Sequence, residues 1–160
     1  MLATLLRPEA GTLEVCGHIV PTDVAKVRSL LGYLGHDPQV YLDLTCAQNL
    51  EFFSDLHGAP RNANPELLDR VGLLLRSNDR VRDLSRGMIQ RLGVARMLLS
   101  SPRVLLLDEP HSGLDAQGQA LLDTIITDRR ARAVVLITHD IERANALADR
   151  SVFLDAGRLA

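Results

Sequence analysis

Hydrophobic positions along the chain follow two periods. Val104–Leu107 and Ala133–Ile137 are unbroken aliphatic runs of strand length. From Thr45 to Leu56, from Pro65 to Leu75 and from Ser85 to about Leu99, apolar residues instead recur every three or four positions, the spacing of one helix face. Gly58-Ala59-Pro60 with Asn62 and Asn64 breaks the first two of these segments apart. A helix from about Ala116 to Arg129 follows the strand Val104–Leu107, then a buried strand over Val134–Thr138 and a helix from Ile141 to Ala148. This alternation of aliphatic strands and helices predicts an α/β fold with a parallel sheet covered on both faces. Ahead of it, Thr12–Val15 and His18–Val20 flank Gly17 and predict a small antiparallel hairpin. Leu30–Leu34 is a further strand, closed by Gly35-His36-Asp37-Pro38, and Ser151–Leu154 is a last strand before a turn at Gly157. Met1 to Arg7 reads as the tail of a helix stopped by Pro8 and Gly11.

The length of 160 residues fits one domain, or one domain lacking a piece. With 18 Lys and Arg against 20 Asp and Glu, there is no electrostatic case for nucleic acid as a partner. Cys16 and Cys46 are far apart and have only His18 nearby, which excludes a clustered zinc site and fits reduced thiols in the cytoplasm. No aliphatic run approaches the roughly 20 residues that cross a bilayer. No direct membrane insertion is therefore expected, and a membrane span, if one is involved, must belong to another polypeptide. The first residues also lack the basic start, apolar stretch and cleavage site of a secretory signal.

The most informative stretch is Val104-Leu-Leu-Leu107 followed at once by Asp108-Glu109-Pro110. Aliphatic side chains want a dry sheet, yet two carboxylates stand at its C-terminal edge, where open α/β sheets bind ligands. An unpaired buried carboxylate is costly, so the pair implies a cation, a phosphate-bound metal or a water-lined cleft. Asp108 suits Mg²⁺ held through its water shell, and Glu109 suits polarising a water for attack on a γ-phosphate. The bland alternative is two acids capping a turn. Leu84-Ser85-Arg86-Gly87-Met88 opens an amphipathic helix with Ser85 as N-cap, and such a terminus offers free N–H groups to a phosphate, or is simply an ordinary capped helix. Ser112-Gly-Leu-Asp115 and Thr138-His139-Asp140 complete the set. His139 at a strand end is placed to bond a γ-phosphate oxygen, and Asp140 to cap the next helix; a lone His there is also a common structural residue.

Occurring together in this order, these elements resemble the ATP-binding-cassette family along essentially the whole chain. Leu84–Met88 is similar to the family's signature motif, and Val104–Asp108 to its Walker B strand. Glu109 corresponds to its catalytic glutamate, Ser112–Asp115 to its D-loop and His139 to its switch histidine. The resemblance implies a P-loop NTPase-like core with a parallel sheet, a small antiparallel portion and an inserted helical subdomain at about residues 45–99. It also implies ATP and Mg²⁺ as ligands and a sandwich of two ATP-binding subunits. In that sandwich Ser85 and Gly87 would contact the γ-phosphate bound to the other subunit, with Arg86, Met88, His36 and Asp115 among the other nucleotide-binding positions, while Asp108, Glu109 and His139 would serve the subunit's own ATP. The helical subdomain would receive a transmembrane permease, placing the protein in the cytoplasm, peripheral to the inner face of the cell membrane.

Three departures from the family pattern stand out. The signature has Arg86 and Met88 where the family carries Gly and Gln; Arg86 is expected to face solvent, and Met88 to lose an amide. His36 takes the place of the Q-loop glutamine, and Gln39 lies too far along to substitute. No Gly-x-x-x-x-Gly-Lys-Ser/Thr loop occurs anywhere in residues 1–160. The expectation is that Met1 falls within the Walker A helix, that the loop and its strand lie upstream, and that these residues alone are inactive. Two functions remain open: the ATPase subunit of a transporter, or a non-catalytic remnant that binds a partner. Gly32-Tyr33-Leu34-Gly35-His36 with Leu42–Thr45 and Asn49-Leu50 looks most like subunits of the haem exporter of cytochrome c maturation. Soluble translation or repair cassettes would bring a second cassette or a coiled-coil insertion, and neither is visible.

Overall fold

The structure, a computed structural model, describes residues 1–128 and 133–159. Its centre is a parallel sheet in the order β3 (Leu31–Leu34), β4 (Val104–Asp108), β5 (Ala133–Ile137). Leu31 pairs with Val104 and Asp108 with Ile137, so the three strands end together at one edge. β4 is dry on both sides because it is all aliphatic until Asp108. Leu105 and Leu107 enter the larger core cluster with the helices, and Val104 and Leu106 enter a smaller one with Val15, Val20 and Val27. The smaller cluster is completed by the antiparallel hairpin β1 (Leu13–Val15) and β2 (His18–Val20) and by α1 (Val24–Leu30).

Between β3 and β4 the chain is helical. α2 (Cys46–His57) starts in a reciprocal cap in which Thr45 Oγ1 accepts from the Gln48 amide while Gln48 Oε1 accepts from the Thr45 amide, and it ends at Gly58 in the left-handed conformation. α3 (Asn64–Arg70) is followed by short 3₁₀ turns at Leu74–Arg76 and Val81–Asp83, then by α4 (Arg86–Leu98). α4 comes unusually close to the segment after β3: a Cβ on Gly93 would stand 2.5 Å from Pro38 Cβ. Arg96 fastens the same contact. Its guanidinium donates to the Pro38 and Tyr33 carbonyls at 3.1 and 2.9 Å and lies 5.3 Å from the Phe53 ring centre. α5 (Ala116–Thr127) and α6 (Ile141–Leu147) flank β5.

Several expectations are corrected here. Residues 1–7 form turns, not a helix; Thr4 has φ 59°, and its hydroxyl accepts from Arg28 Nε at 2.8 Å. The segment from Pro65 to Leu75 is not one helix, because Gly72 at φ 67° ends α3. Of Ser151–Leu154, only Leu154 is in a strand: β6 (Leu154–Asp155) pairs with β7 (Arg158–Leu159), and no described strand lies alongside residues 151–153. β5 is not buried on both faces. Val134 and Leu136 pack on the main core, whereas Ala133, Val135 and Ile137 are exposed beside an open cavity of about 570 Å³ bounded by residues 151–154. The expected end of α5 at Arg129 lies outside the described residues.

Candidate functional site

The acid pair and the histidine converge where the sheet ends. Asp108 is the last residue of β4 and pairs with Ile137, two residues before His139. Pro110 then turns the chain away, and Glu109 takes φ 48° at the corner. Glu109 is anchored by its own amide, which donates to the Ile137 carbonyl at 2.9 Å. Its Oε1 accepts from the His139 amide at 2.9 Å and lies 2.9 Å from His139 Nδ1. This bond holds the His139 imidazole above its ordinary pKa, because the carboxylate stabilises the charged ring. The His139 side chain is 90% exposed, so Nε2 faces solvent while Nδ1 is engaged. Asp140 caps α6 by accepting from the Arg143 amide, as its position suggested.

The Asp108 carboxylate is half-buried, and among the described residues no hydrogen bond or ion pair engages it. The described residues hold no cluster of three or more His, Cys, Asp or Glu that would cage a metal. Asp108 alone suits Mg²⁺, which keeps several waters and is commonly bound by one or two carboxylates together with substrate phosphates. The donor set at the sheet edge therefore fits that ion.

Ser85 caps α4, its Oγ accepting from the Met88 amide at 3.3 Å. The Ser85–Met88 turn sits against the 112–115 loop, where a Cβ on Gly87 would come within 3.1 Å of the Gly113 carbonyl. Arg86 is exposed, as expected, with its aliphatic stem lying along Gly113. Met88 is half-buried and packs on the main core instead of pointing out. Asp115 caps α5 by accepting from the Gly118 amide at 2.8 Å. His36 is exposed in the turn after β3. The structure thus gathers Asp108, Glu109 and His139 at the sheet edge and sets Ser85–Met88 against Gly113.

Sequence reasoning passed over His111, the residue between the acid pair and the 112–115 loop. Its Nε2 donates to Asp123 Oδ1 at 2.7 Å, and its Nδ1 is buried without a partner. That pattern selects the neutral tautomer with the proton on Nε2, since a buried unpaired N–H would cost more than a lone pair. Burial lowers its pKa, against the pull of Asp123. The only sequence signal was a His inside an otherwise small and acidic turn.

Comparison with known proteins gives the family and the fold. The ABC transporter family model matches residues 1–112. The daunorubicin resistance ATP-binding protein DrrA3 of Streptomyces coeruleorubidus is 42% identical over 165 aligned positions, covering 99% of this chain and 52% of that protein. Nod factor export ATP-binding protein I of Ralstonia nicotianae is 35% identical over 164 positions, covering 99% of this chain and 51% of that one. The chain spans about half the length of these two curated relatives. A dimeric ATP-binding cassette in a post-hydrolysis state with ADP and Pi superposes with a TM-score of 0.87 at 24% identity, covering 98% of this chain and 74% of that one. The ATP-binding subunit of an ABC transporter superposes at 0.89 and 24%, covering 99% and 68%. The fold is therefore the P-loop NTPase fold of ATP-binding cassettes. The chain belongs to the ABC transporter family.

Proposed function

We propose that the chain is the catalytic part of an ATP-hydrolysing subunit that drives an exporter through a separate transmembrane permease. The observation that carries this reading is the Glu109 carboxylate locked to His139 at the sheet edge beside an unpartnered Asp108. Oε1 of Glu109 is occupied by His139, which leaves Oε2 to take a proton from water. The water oxygen attacks the γ-phosphorus of ATP, the bond from that phosphorus to the β–γ bridging oxygen breaks, and the water proton passes to Glu109. His139, with Nδ1 held by Glu109, presents Nε2 to a γ-phosphate oxygen. Its raised proton affinity favours the charged ring, whose Nε2–H steadies developing negative charge. Asp108 would hold Mg²⁺ through its water shell; the ion, when bound, supplies charge neutralisation at the phosphates. Ser85, Arg86, Gly87 and Asp115 fit the surface of a second ATP-binding subunit, with Met88 turned to the core behind them, and His36 fits a sensor of the bound nucleotide. The subunit would then work as a dimer on the cytoplasmic face of the membrane; no described helix is long and apolar enough to cross one.

The helices over residues 45–99 form the part that would receive the permease. Tyr41 and Phe52 meet edge to face with ring centres 5.0 Å apart, and with Leu42 they leave an apolar patch half open to solvent. The same patch favours the second reading, a partner-binding module without turnover. The names of the relatives, daunorubicin resistance and Nod factor export, support export as the direction. Haem as cargo, suggested by residues 32–36, 42–45 and 49–50, has no counterpart among those relatives. Glu109→Gln separates the two readings in the longest polypeptide that contains this chain. The amide keeps the His139 contact but cannot take a proton, so turnover should fall about 10²–10⁴-fold while Mg-ATP binding persists. Equal turnover in parent and variant would sink the catalytic reading.

A further inference from the structure

Glu109 occupies a backbone region that side-chain-bearing residues avoid, at φ 48°. A residue stays there only when its surroundings over-determine it. Three restraints are local: its amide donates to the Ile137 carbonyl, its carbonyl accepts from the Ser112 amide at 3.1 Å, and its carboxylate accepts from the His139 amide. A fourth lies outside the site already described. Two residues on, the His111 side chain is 11% exposed and donates to Asp123 on α5. The same Asp123 oxygen faces Arg143 Nη1 of α6 at 3.5 Å, and Arg143 Nη2 donates to Gln119 Oε1 at 2.9 Å. The Arg143 amide is capped by Asp140, whose chain neighbour is His139. The bonds and the chain close a circuit that runs from Glu109 through His111, Asp123, Arg143, Asp140 and His139 back to Glu109.

We propose that His111 and Arg143, gathered on Asp123, are positioning residues that hold the Glu109 carboxylate against the amide and ring of His139. The proposal rests on reading that pair as hydrolytic. His111 tethers the chain just after the strained corner, and Arg143 tethers the helix that begins just after His139, so each arm fixes one partner relative to α5. Without the His111 arm, Glu109 is free to relax out of the left-handed region, which redirects its Cβ and carries Oε1 away from His139. The arms need the geometry of the bonds and not a charge on His111, because the buried ring is held in its neutral form.

Residue-resolved amide exchange by NMR on the purified chain tests this without ATP. In His111→Ala, exchange at the His139 amide should rise about tenfold, the scale of losing one charge-assisted hydrogen bond, while the amides of Leu105–Leu107 keep their protection. His111→Gln should restore the parent rate, because its amide nitrogen reaches the position of imidazole Nε2 and donates to Asp123. If His111→Ala does not fold, Arg143→Leu, changed nearer the surface, carries the same expectation at His139. An unchanged His139 rate in whichever of these folds overturns the proposal, as does a rise shared equally by β4 that His111→Gln does not reverse. Loss of the catalytic reading through Glu109→Gln would leave this measurement standing, so the two ideas fail separately.

Discussion

Removing the side chain of Asn49 should cost stability out of proportion to its size. Asn49 is fully buried on α2, and its amide serves the backbone of the 41–45 loop. Nδ2 donates to the carbonyls of Tyr41 and Thr45 at 2.9 and 3.0 Å, and Oδ1 accepts from the Tyr41 amide at 2.8 Å. In Asn49→Ala the Tyr41 amide and carbonyl lose their partner, while the Thr45 carbonyl loses one of two and keeps the Asn49 backbone amide at 2.9 Å. Each such bond contributes about 0.5–1.5 kcal/mol net, and each group left dry costs about 1–3 kcal/mol. Tyr41 is half exposed, so water can reach part of its backbone and the lower figures apply there. The sum is about 2–4 kcal/mol. With a urea slope of about 1–3 kcal/mol per molar for small proteins, the unfolding midpoint should drop by roughly 1–2 M at unchanged slope. Asn49→Asp should be no better at neutral pH, because it presents a charged acceptor to two carbonyls. It should partly recover in acid, where the protonated acid can donate once. A midpoint shift in Asn49→Ala below about 0.3 M would refute the view that this amide, and not the apolar packing around it, holds the loop.

Other outcomes follow from the same geometry. Gly93→Ala gains about 1 kcal/mol of helix propensity, yet its Cβ would meet Pro38 at 2.5 Å and Leu34 Cδ1 at 3.1 Å. Overpacking of about 1–3 kcal/mol should win, so a urea midpoint above the parent's would contradict the close approach. His111 is held below the ordinary histidine pKa by burial, which opens a range between its folded and unfolded values. In this range the unfolded chain binds more protons than the folded one. Stability should therefore be full above about pH 6.5 and fall as pH drops below it. His111→Gln should flatten part of that slope, measured by urea unfolding from pH 7.5 to 5.5. The raised pKa of His139 acts with the opposite sign, its contribution fading as pH rises, but its exposed ring makes that small.

The strand-ending acids, the N-caps at Ser85 and Asp140 and the parallel β4–β5 order were legible because each is local: a run, a cap and a turn within a few residues. α1 was not legible. Val24-Ala-Lys-Val-Arg-Ser-Leu30 is short, has no side-chain cap and buries only Val27. The 1–7 segment reads as a helix tail because Pro8 and Gly11 follow it as stop signals, but Leu2, Leu5 and Leu6 are exposed, so no core rewards the helix. The His111–Asp123–Arg143 clamp joins residues 12 and 20 apart through the packing of α5 on α6, which no window of sequence shows. Arg96 was hidden for the same reason, as a charge on an otherwise apolar stretch whose carbonyl partners lie about 60 residues earlier.

The outer side of β5 bears on how residues 1–160, taken by themselves, behave in a tube. Val135 and Ile137 stand exposed along a strand that is hydrogen-bonded on one side by β4, with Val152, Phe153 and Leu154 also uncovered nearby. A bare aliphatic strand margin is a template that any other extended chain can extend, including the same strand of a neighbouring molecule. Turbidity should therefore grow with the square of protein concentration at early times, and a lysine at position 135 should suppress it without touching the acid pair on β4.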